Sequence, residues 1–324
     1  MRTYSGGVSP ARSQVEYTSL ESLSPGDVVI HNRYAGINYK DCLSLLGRAR
    51  IVESYPRVCG IELVGEVIHS SDSTFERGQS VLVHGFGTGI ALDGGFSEYS
   101  RVPAAHVMLR PDGLSDYETA VLGVPGFTVA LALDRFEQAG FTPADGPVAV
   151  TGASGAVGML AISILSNLGY RVVAVTRKTE QAGMLLELGA MEVLDSAELT
   201  GAKRPLEKAR FAAAIDNVGG ATLASLLRST QQNGQVASVG NASGNSFDGS
   251  VLPFIMRGVS MFGVVANASW PVRRRVWSQL ATKWKPKFDC LAPCVQTIEL
   301  QGLLAHSQAQ LEGTTVGRTL ISLG

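Results

Sequence analysis

The pattern of apolar and polar residues changes character near residue 111. Before that point, short apolar runs alternate with polar residues and are bounded by Gly, Pro and Asp. Such runs occupy residues 27–30, 65–68, 79–83 and 96–102. Short alternating runs separated by turn residues are typical of strands. The first part of the chain is therefore predicted to form a compact β-rich domain.

After residue 113 the pattern shifts to an alternation of strands and helices. Strands are predicted at 148–150, 172–175, 213–216, 235–239 and 259–265, with helices after the first strand and around 180–188 and 223–231. This alternation implies parallel strands joined by right-handed crossovers, which is a doubly wound α/β sheet. A helical stretch around 272–284 and a final strand near 317–323 fall outside that sheet, and we expect this tail to return to the first domain.

The turn between the first strand and its helix is rich in glycine, with glycines at positions 152, 155 and 158. A pyrophosphate binds the free N–H groups at a helix N-terminus, and glycines let the backbone approach it closely. The segment therefore predicts a dinucleotide site. The residues predicted to contact the pyrophosphate are Ser154, Gly155, Ala156 and Val157.

The end of the second strand indicates which dinucleotide is bound. An acidic residue there, about 20 residues past the turn, would hydrogen-bond the 2′-hydroxyl of NAD. This chain has Thr176, Arg177 and Lys178 instead, which suit the 2′-phosphate of NADPH. A chance basic pair is the alternative interpretation. Residues at the ends of later strands are also predicted to contact the cofactor, with ordinary turn chemistry as the alternative for the two asparagines: Asn217, Gly240 and Asn241.

Composition and charge narrow the choice of partners. The 324 residues include 27 Lys and Arg against 28 Asp and Glu, so the chain has no electrostatic reason to bind nucleic acid or an acidic membrane. We found no run of about 18 apolar residues that would span a bilayer, so no membrane contact is expected. The four cysteines form no Cys-x-x-Cys pair and no apolar signal core follows the N-terminus, which predicts a cytoplasmic protein. A small-molecule partner is expected.

Short motifs spread over nearly the whole chain carry a family resemblance. They occupy residues 37–41, 60–65, 94–98, 126–128, 151–158, 188–190, 214–217, 253–257 and 317–320. In this combination the chain resembles the medium-chain dehydrogenase/reductase family, and within it a bacterial quinone oxidoreductase branch that includes NADPH-dependent acryloyl-CoA reductases. The resemblance implies a Rossmann domain, residues 122–266, inserted into a β-rich GroES-like catalytic domain, residues 1–121 and 267–324. It also implies a homodimer in which the edge strand 259–265 pairs with its symmetry mate.

The zinc ligands of other family members have no counterparts at the matching positions. Zn²⁺ prefers thiolate and imidazole ligands, but Asn38 and Ile61 stand at those two places. The four-cysteine loop that holds a structural zinc is missing as well, so no metal is expected.

Without zinc, the resemblance implies hydride addition to Cβ of an α,β-unsaturated thioester or carbonyl and protonation at Cα. The catalytic candidates are Asn38 as an amide donor, Tyr39 as a proton donor or cofactor contact, and Asp41 as an orienting carboxylate. The alternative is that Asp41 serves the first turn of a helix and that Tyr39 is a packing aromatic.

The predicted substrate is an enoyl thioester such as acryloyl-CoA. A quinone or free enone reductase is the first alternative, and a non-catalytic crystallin-like binding or structural protein is the second. Departures from the family pattern at 92–93 and 265–266 weaken the transfer of acryloyl-CoA as the substrate. For Arg257 the alternatives are contact with the cofactor and exposure to solvent, and for Arg318 they are a surface salt bridge and a functional role.

Overall fold

The computed structural model describes residues 1–6, 9–201 and 204–324, and the chain divides into two compact units. Unit 1 comprises Met1–Val124 and Cys294–Gly324. Unit 2 comprises Pro125–Pro293.

The described elements alternate as the apolar pattern predicts. In chain order the strands are β1 (Arg2–Gly6), β2 (Ser9–Gln14), β3 (Val28–Gly36), β4 (Arg57–Val58), β5 (Glu62–Ser70), β6 (Ser80–His84), β7 (Tyr99–Val102), β8 (Met108–Leu109), β9 (Val148–Thr151), β10 (Val172–Thr176), β11 (Glu192–Asp195), β12 (Phe211–Asp216), β13 (Thr230–Ser238), β14 (Ser260–Gly263), β15 (Val295–Ile298) and β16 (Arg318–Ser322). The α-helices are α1 (Tyr39–Leu45), α2 (Asp116–Gln138), α3 (Ala156–Asn167), α4 (Ala182–Glu187), α5 (Ser196–Thr200), α6 (Gly220–Ser229), α7 (Leu252–Arg257), α8 (Trp270–Leu280), α9 (Phe288–Leu291) and α10 (Leu303–Leu311).

Unit 1 is rich in β-structure. Its 7-stranded sheet has the order β15, β16, β3, β5, β6, β8, with β7 paired to β3. Along β3, Val28 and Ile30 are fully buried, whereas Val29 and His31 are partly exposed. This alternation is expected of a strand with one face on a core. The tail returns to this sheet as expected, because β16 pairs antiparallel with β3.

Unit 2 contains a 6-stranded sheet with the order β11, β10, β9, β12, β13, β14. All its strand pairs are parallel, so the predicted doubly wound sheet is confirmed. The strand order reverses beside β9. In open α/β sheets, ligands bind outside the carboxyl ends of the strands at such a reversal.

The unit boundaries differ from the predicted domain boundaries at 121/122 and 266/267. Residues 267–293 belong to unit 2 because α8 packs its buried face there. The ring of Trp277 stacks on that of Phe127, with centroids 6.2 Å apart, and the guanidinium of Arg273 lies 5.3 Å from the same Phe127 ring. The predicted assignment of this segment to the first domain is thereby corrected.

Helix α2 also differs from the expectation that no segment could span a membrane. Among the described residues, it is the one helix long and apolar enough to do so by length and composition alone. However, 78% of its most apolar window is buried inside the protein, as in a core helix. Gly123 (φ 42°, ψ −147°) interrupts its helical geometry.

Candidate active site

The predicted strand, glycine turn and helix lie at the carboxyl end of β9. Gly152 has a φ of 57°, which favours glycine, and α3 begins after Gly155. A Cβ on Gly158 would lie 2.4 Å from the carbonyl oxygen of Gly152, so this glycine lets the helix pack directly against the turn. The first N–H groups of α3 have no partner within the helix and remain available to an anion.

Hydroxyl groups join this turn to the end of β10. The Oγ of Ser154, which is 7% exposed, lies 3.3 Å from Oγ1 of Thr176. The backbone N–H of Lys178 donates to the same Thr176 oxygen at 3.0 Å. Arg177 is exposed, and partial burial lowers the pKa of Lys178. Two cations therefore lie beside the turn, at the carboxyl edge of the sheet.

Asn217 follows β12 at the same edge. Its Nδ2 donates to the Thr151 carbonyl at 2.7 Å, and its backbone N–H donates to Thr151 Oγ1 at 2.9 Å. Its Oδ1 is buried and has no hydrogen-bond partner within the described part of the chain. A buried acceptor without a partner is costly, so this oxygen is suited to receive a ligand donor.

The other two predicted residues at this edge behave differently. A Cβ on Gly240 would lie 2.4 Å from the carbonyl oxygen of Asn217, so close packing of two strand ends requires glycine there. Asn241 is exposed and donates to Asn245, which agrees with turn chemistry. Contact of either residue with a cofactor stays a prediction.

Asp216 organises this edge, although no local sequence pattern predicts a role for it. The carboxylate is fully buried and accepts hydrogen bonds from Thr151 Oγ1 at 2.7 Å and from Gly219 N–H at 2.9 Å. Burial raises the pKa of this carboxyl despite those bonds. Asp216 thus ties the ends of β9 and β12 together and positions Asn217 between them.

A second polar group lies in unit 1, where Asn38, Glu62 and Arg318 form a hydrogen-bonded cluster. Nη2 of Arg318 lies 2.6 Å from Oε1 of Glu62, and Asn38 Nδ2 donates to the same oxygen at 2.7 Å. Arg318 is 1% exposed and Glu62 is 4% exposed, whereas Asn38 is half-buried. Asn38 is therefore the member of the cluster that solvent reaches.

Backbone groups complete the surroundings of the buried ion pair. Arg318 also donates to the carbonyls of Ile37, at 3.1 Å, and Ala120, at 2.9 Å, and Glu62 accepts from the N–H of Val124. A Cβ on Gly36 would lie 1.9 Å from Arg318 Nη2, so only glycine fits at the end of β3. Of the two alternatives predicted for Arg318, the surface salt bridge is wrong, because the pairing of β16 with β3 buries this residue.

Asp41 occupies the first turn of α1. Its Oδ2 accepts from the backbone N–H of Asn38 and its Oδ1 from that of Ile61, both at 3.0 Å. Burial, with a smaller contribution from the charge of Glu62, raises the pKa of this carboxyl from 3.8 to about 7. Asp41 thus fixes the backbone of Asn38, a member of the cluster, and of Ile61, which precedes Glu62. Both of its carboxylate oxygens are used in these bonds. The predicted alternative of a helix-start role fits this geometry.

Tyr39 opens α1 directly after Asn38 and is 39% exposed. Its ring is not buried in a core, so the alternative of a packing aromatic does not fit. Arg257 donates to three backbone carbonyls, those of Glu207, Arg228 and Thr230, which gives it a structural role in unit 2.

The departures from the family pattern also have structural explanations. Asp93 is buried and accepts from the backbone N–H groups of Ser24 and Val58, so it anchors neighbouring loops of unit 1. Val265 is 73% exposed beyond the end of the edge strand β14.

The residues at the family's zinc position do not fit a metal ion. Asn38 and Ile61 offer no thiolate or imidazole, and the carboxylate of Glu62 is already paired with a guanidinium that would repel a cation. Within residues 1–6, 9–201 and 204–324, no group of three or more His, Cys, Asp or Glu side chains is arranged to hold a metal.

Comparisons with known proteins find a family match for each of the two units. The family model for the alcohol dehydrogenase GroES-like domain matches residues 24–112, and that for zinc-binding dehydrogenases matches residues 156–284. The chain is 41% identical to the putative quinone oxidoreductase YhfP of Bacillus subtilis over 95% of its length and 94% of that protein's. It is 36% identical to the acrylyl-CoA reductase AcuI of Ruegeria pomeroyi, over 96% of this chain and 94% of that one.

Solved structures extend the likeness to three dimensions. The crystal structure of YhdH from Escherichia coli K-12 with bound NADPH superposes with a TM-score of 0.95 at 34% identity, covering 100% of this chain and 99% of that one. The structure of Bacillus subtilis YhfP with bound NAD gives a TM-score of 0.94 at 37% identity, covering 99% and 98%. The predicted fold and family resemblance are thereby confirmed.

Proposed function

The chain belongs to the medium-chain dehydrogenase/reductase family of oxidoreductases, and from this premise we propose that it is an NADPH-dependent reductase of activated alkenes, with an enoyl thioester such as acryloyl-CoA as substrate. The observation that carries the proposal is the solvent-reachable amide of Asn38, held by the buried pair of Glu62 and Arg318. One relative is named an acrylyl-CoA reductase, and one similar structure contains bound NADPH. Both support the proposed substrate and cofactor.

Unit 2 supplies the residues that would hold the cofactor. The pyrophosphate would lie on the residues 154–157 at the start of α3, and the 2′-phosphate on Thr176, Arg177 and Lys178. The unpartnered Oδ1 of Asn217 would accept a hydrogen bond from the cofactor. Bound NADPH supplies the hydride for the reaction.

Asn38 would stabilise the charge that develops on the substrate. Adding hydride to Cβ breaks the alkene π bond and moves an electron pair toward the carbonyl oxygen. One N–H of the Asn38 amide is fixed on Glu62 at 2.7 Å, whereas the other meets the Gly36 carbonyl only at 3.4 Å. A bond that long is weak. The second N–H is thus available to the substrate oxygen, and its direction is set in advance by the buried pair.

Tyr39 and Asp41 would serve the same site in different ways. Tyr39 is partly exposed and next to Asn38, so its phenol is placed to deliver the proton to Cα. Asp41 does not reach the substrate in this proposal, because both its oxygens are bound to backbone N–H groups. It is a positioning residue for Asn38.

A quinone or free enone reductase is the second candidate. The Asn38 amide could donate a hydrogen bond to any conjugated carbonyl oxygen, and one relative is named a putative quinone oxidoreductase. A crystallin-like structural role would not require a buried ion pair that orients a half-buried, solvent-reachable amide.

A substrate panel tests these alternatives. NADPH oxidation is measured with acryloyl-CoA, crotonyl-CoA, a benzoquinone and a free enone, for the wild type and for Asn38→Ala. We expect turnover of the thioesters, and a loss of roughly 100-fold or more in kcat for the variant, as for other oxyanion donors. Turnover of the quinone alone would favour the second candidate, and no turnover with any substrate would refute both.

We also propose a homodimer formed along the edge strand β14. Large apolar side chains are exposed on this strand and in the segments before and after it in the chain: Phe247, Val251, Ile255, Met256, Met261 and Val265. An exposed apolar edge strand favours association. Light scattering should give twice the chain mass for the wild type, and Met261→Glu should shift the equilibrium to monomer. A monomeric wild type at micromolar concentration would contradict the proposal. A cytoplasmic location also stays a prediction.

A further inference from the structure

Three exposed cations lie along and just after helix α1, the helix that carries the proposed catalytic residues. Lys40 is in its first turn, and Arg48 and Arg50 follow its last residue. We name this group the α1 cationic cluster. Seven helical residues rise about 10 Å, so the cluster extends away from Asn38 by that distance or more.

The side chains of Lys40, Arg48 and Arg50 form no ion pair or hydrogen bond within the part of the chain that the structure describes. Several other arginines in unit 1 are paired with carboxylates. Arg33 contacts Glu66 at 3.0 Å, Arg57 contacts Asp93 at 3.5 Å and Arg110 contacts Asp116 at 2.9 Å. Three uncompensated cations on one short segment are therefore a local concentration of charge in a chain whose formal net charge is −1.

The backbone fixes where this segment lies. Gly47 has a φ of 61°, which reverses the chain after α1, and the N–H of Arg48 donates to the carbonyl of Leu43 at 2.9 Å. The N–H of Glu53 then donates to the carbonyl of Ile90 at 3.3 Å. The segment is thus folded against α1 and does not extend into solvent as a loose tail.

We propose that the α1 cationic cluster binds the phosphates of a coenzyme A thioester. This inference rests on the proposed function and deepens it, because it states that the enzyme recognises the acyl carrier as well as the alkene. The thioester carbonyl would lie at Asn38, and the pantetheine arm would lead along α1 to Lys40, Arg48 and Arg50. Guanidinium groups suit phosphate because their N–H donors match its oxygens in pairs.

The phosphates of the cofactor are a weaker match for this cluster. The pyrophosphate and 2′-phosphate already have candidate partners in unit 2, at the start of α3 and at residues 176–178. A quinone or a free enone carries no phosphate and would leave three cations without a partner. The cluster thus favours the thioester over the alternative substrates.

The test compares two substrates that differ only in the carrier. Crotonyl-CoA carries the phosphates, whereas crotonyl-N-acetylcysteamine keeps the thioester and lacks them. For Arg48→Gln/Arg50→Gln, we expect KM for crotonyl-CoA to rise roughly three- to twentyfold, from the strengths of two exposed charge contacts. The kcat for crotonyl-CoA, KM for crotonyl-N-acetylcysteamine and KM for NADPH should stay close to wild type. Arg77→Gln, at an isolated exposed arginine of unit 1, is the matched control and should change none of these values.

Binding of free CoA, measured by calorimetry, gives a readout that does not depend on turnover. The wild type should bind CoA more weakly as ionic strength rises, and the double variant should lose most of that dependence. An equal KM for both thioesters in the wild type would overturn the inference and leave the proposed function intact. An equal rise in KM for NADPH would assign the cluster to the cofactor instead. No turnover of either thioester would refute the proposed function, and CoA binding would still decide the inference.

Discussion

The two candidate functional regions of this chain are built in opposite ways. The proposed cofactor region lies mostly within one stretch, residues 148–178, and presents backbone N–H groups, the exposed Arg177 and the partly buried Lys178. The polar cluster of unit 1 joins Glu62 to Arg318, which are 256 positions apart in the sequence, and buries both. The first region depends on local geometry, whereas the second depends on the folding of all of unit 1.

This difference has an energetic consequence. Exposed charges such as Arg177 are well solvated and contribute little to folding. A buried pair has lost its hydration on both sides, so removing one partner leaves an uncompensated charge in the interior. Substitutions in the cofactor region should therefore change binding, and substitutions in the cluster should change stability and binding together.

The strongest test of this contrast is Arg318→Met, which keeps most of the side-chain volume and removes the charge. The variant leaves Glu62 buried without its cation, so we expect the free energy of unfolding to fall by about 3–5 kcal/mol. Urea denaturation measures the change. Arg177→Met, the matched substitution in the cofactor region, should shift the unfolding free energy by less than about 0.5 kcal/mol. Equal effects from the two substitutions would remove the distinction between the regions.

The titration of Asp41 sharpens the same contrast. Its pKa is raised from 3.8 to about 7 in the folded protein, so between these values the folded state binds more protons than the unfolded state. Stability should therefore fall as pH rises through this window, by roughly 2–4 kcal/mol relative to a variant that cannot ionise. Asp41→Asn is that variant.

The measurement is the free energy of unfolding of both proteins across the window. Because other carboxyl groups titrate in both proteins, the difference between the two curves isolates Asp41. Wild type and variant curves that run parallel would show that the folded protein does not raise the pKa of this carboxyl.

The sequence predicts the local structure of the proposed cofactor region well because the signals there are local. A buried strand, glycines in the turn and a basic pair after the next strand all lie within one βαβ unit, and each acts on its immediate neighbours. The strands of unit 1 are also predicted well, because the alternation of apolar and polar side chains is visible between adjacent residues.

The burial of Arg318 and its pairing with Glu62 were not predicted, for the opposite reason. An isolated arginine before a terminal strand is indistinguishable by pattern from a surface residue, and its burial follows only from the pairing of β16 with β3. The position of α8 was missed similarly, because an amphipathic helix shows that one face is buried but not against which unit. The sequence signal for the buried ion pair was the glycines at 36 and 123, because a Cβ at either position would collide with Glu62 and Arg318.

The smallest effect, and the most specific, is expected from Arg177→Ala/Lys178→Ala. These cations suit a 2′-phosphate that NADH lacks, so NADPH affinity should fall at least tenfold while NADH affinity is unchanged. A charge-assisted hydrogen bond contributes ~1.5–3 kcal/mol, and about 1.4 kcal/mol corresponds to a factor of ten. Exposure of Arg177 places the expected loss toward the lower end of that range.

Fluorescence titration gives the Kd values for NADPH and NADH. Arg171→Ala is the control, because Arg171 is an exposed arginine immediately before the amino end of β10, away from the carboxyl edge. If NADH weakened as much as NADPH, the pair would act on the fold of the turn, and the cofactor region would resemble the cluster after all.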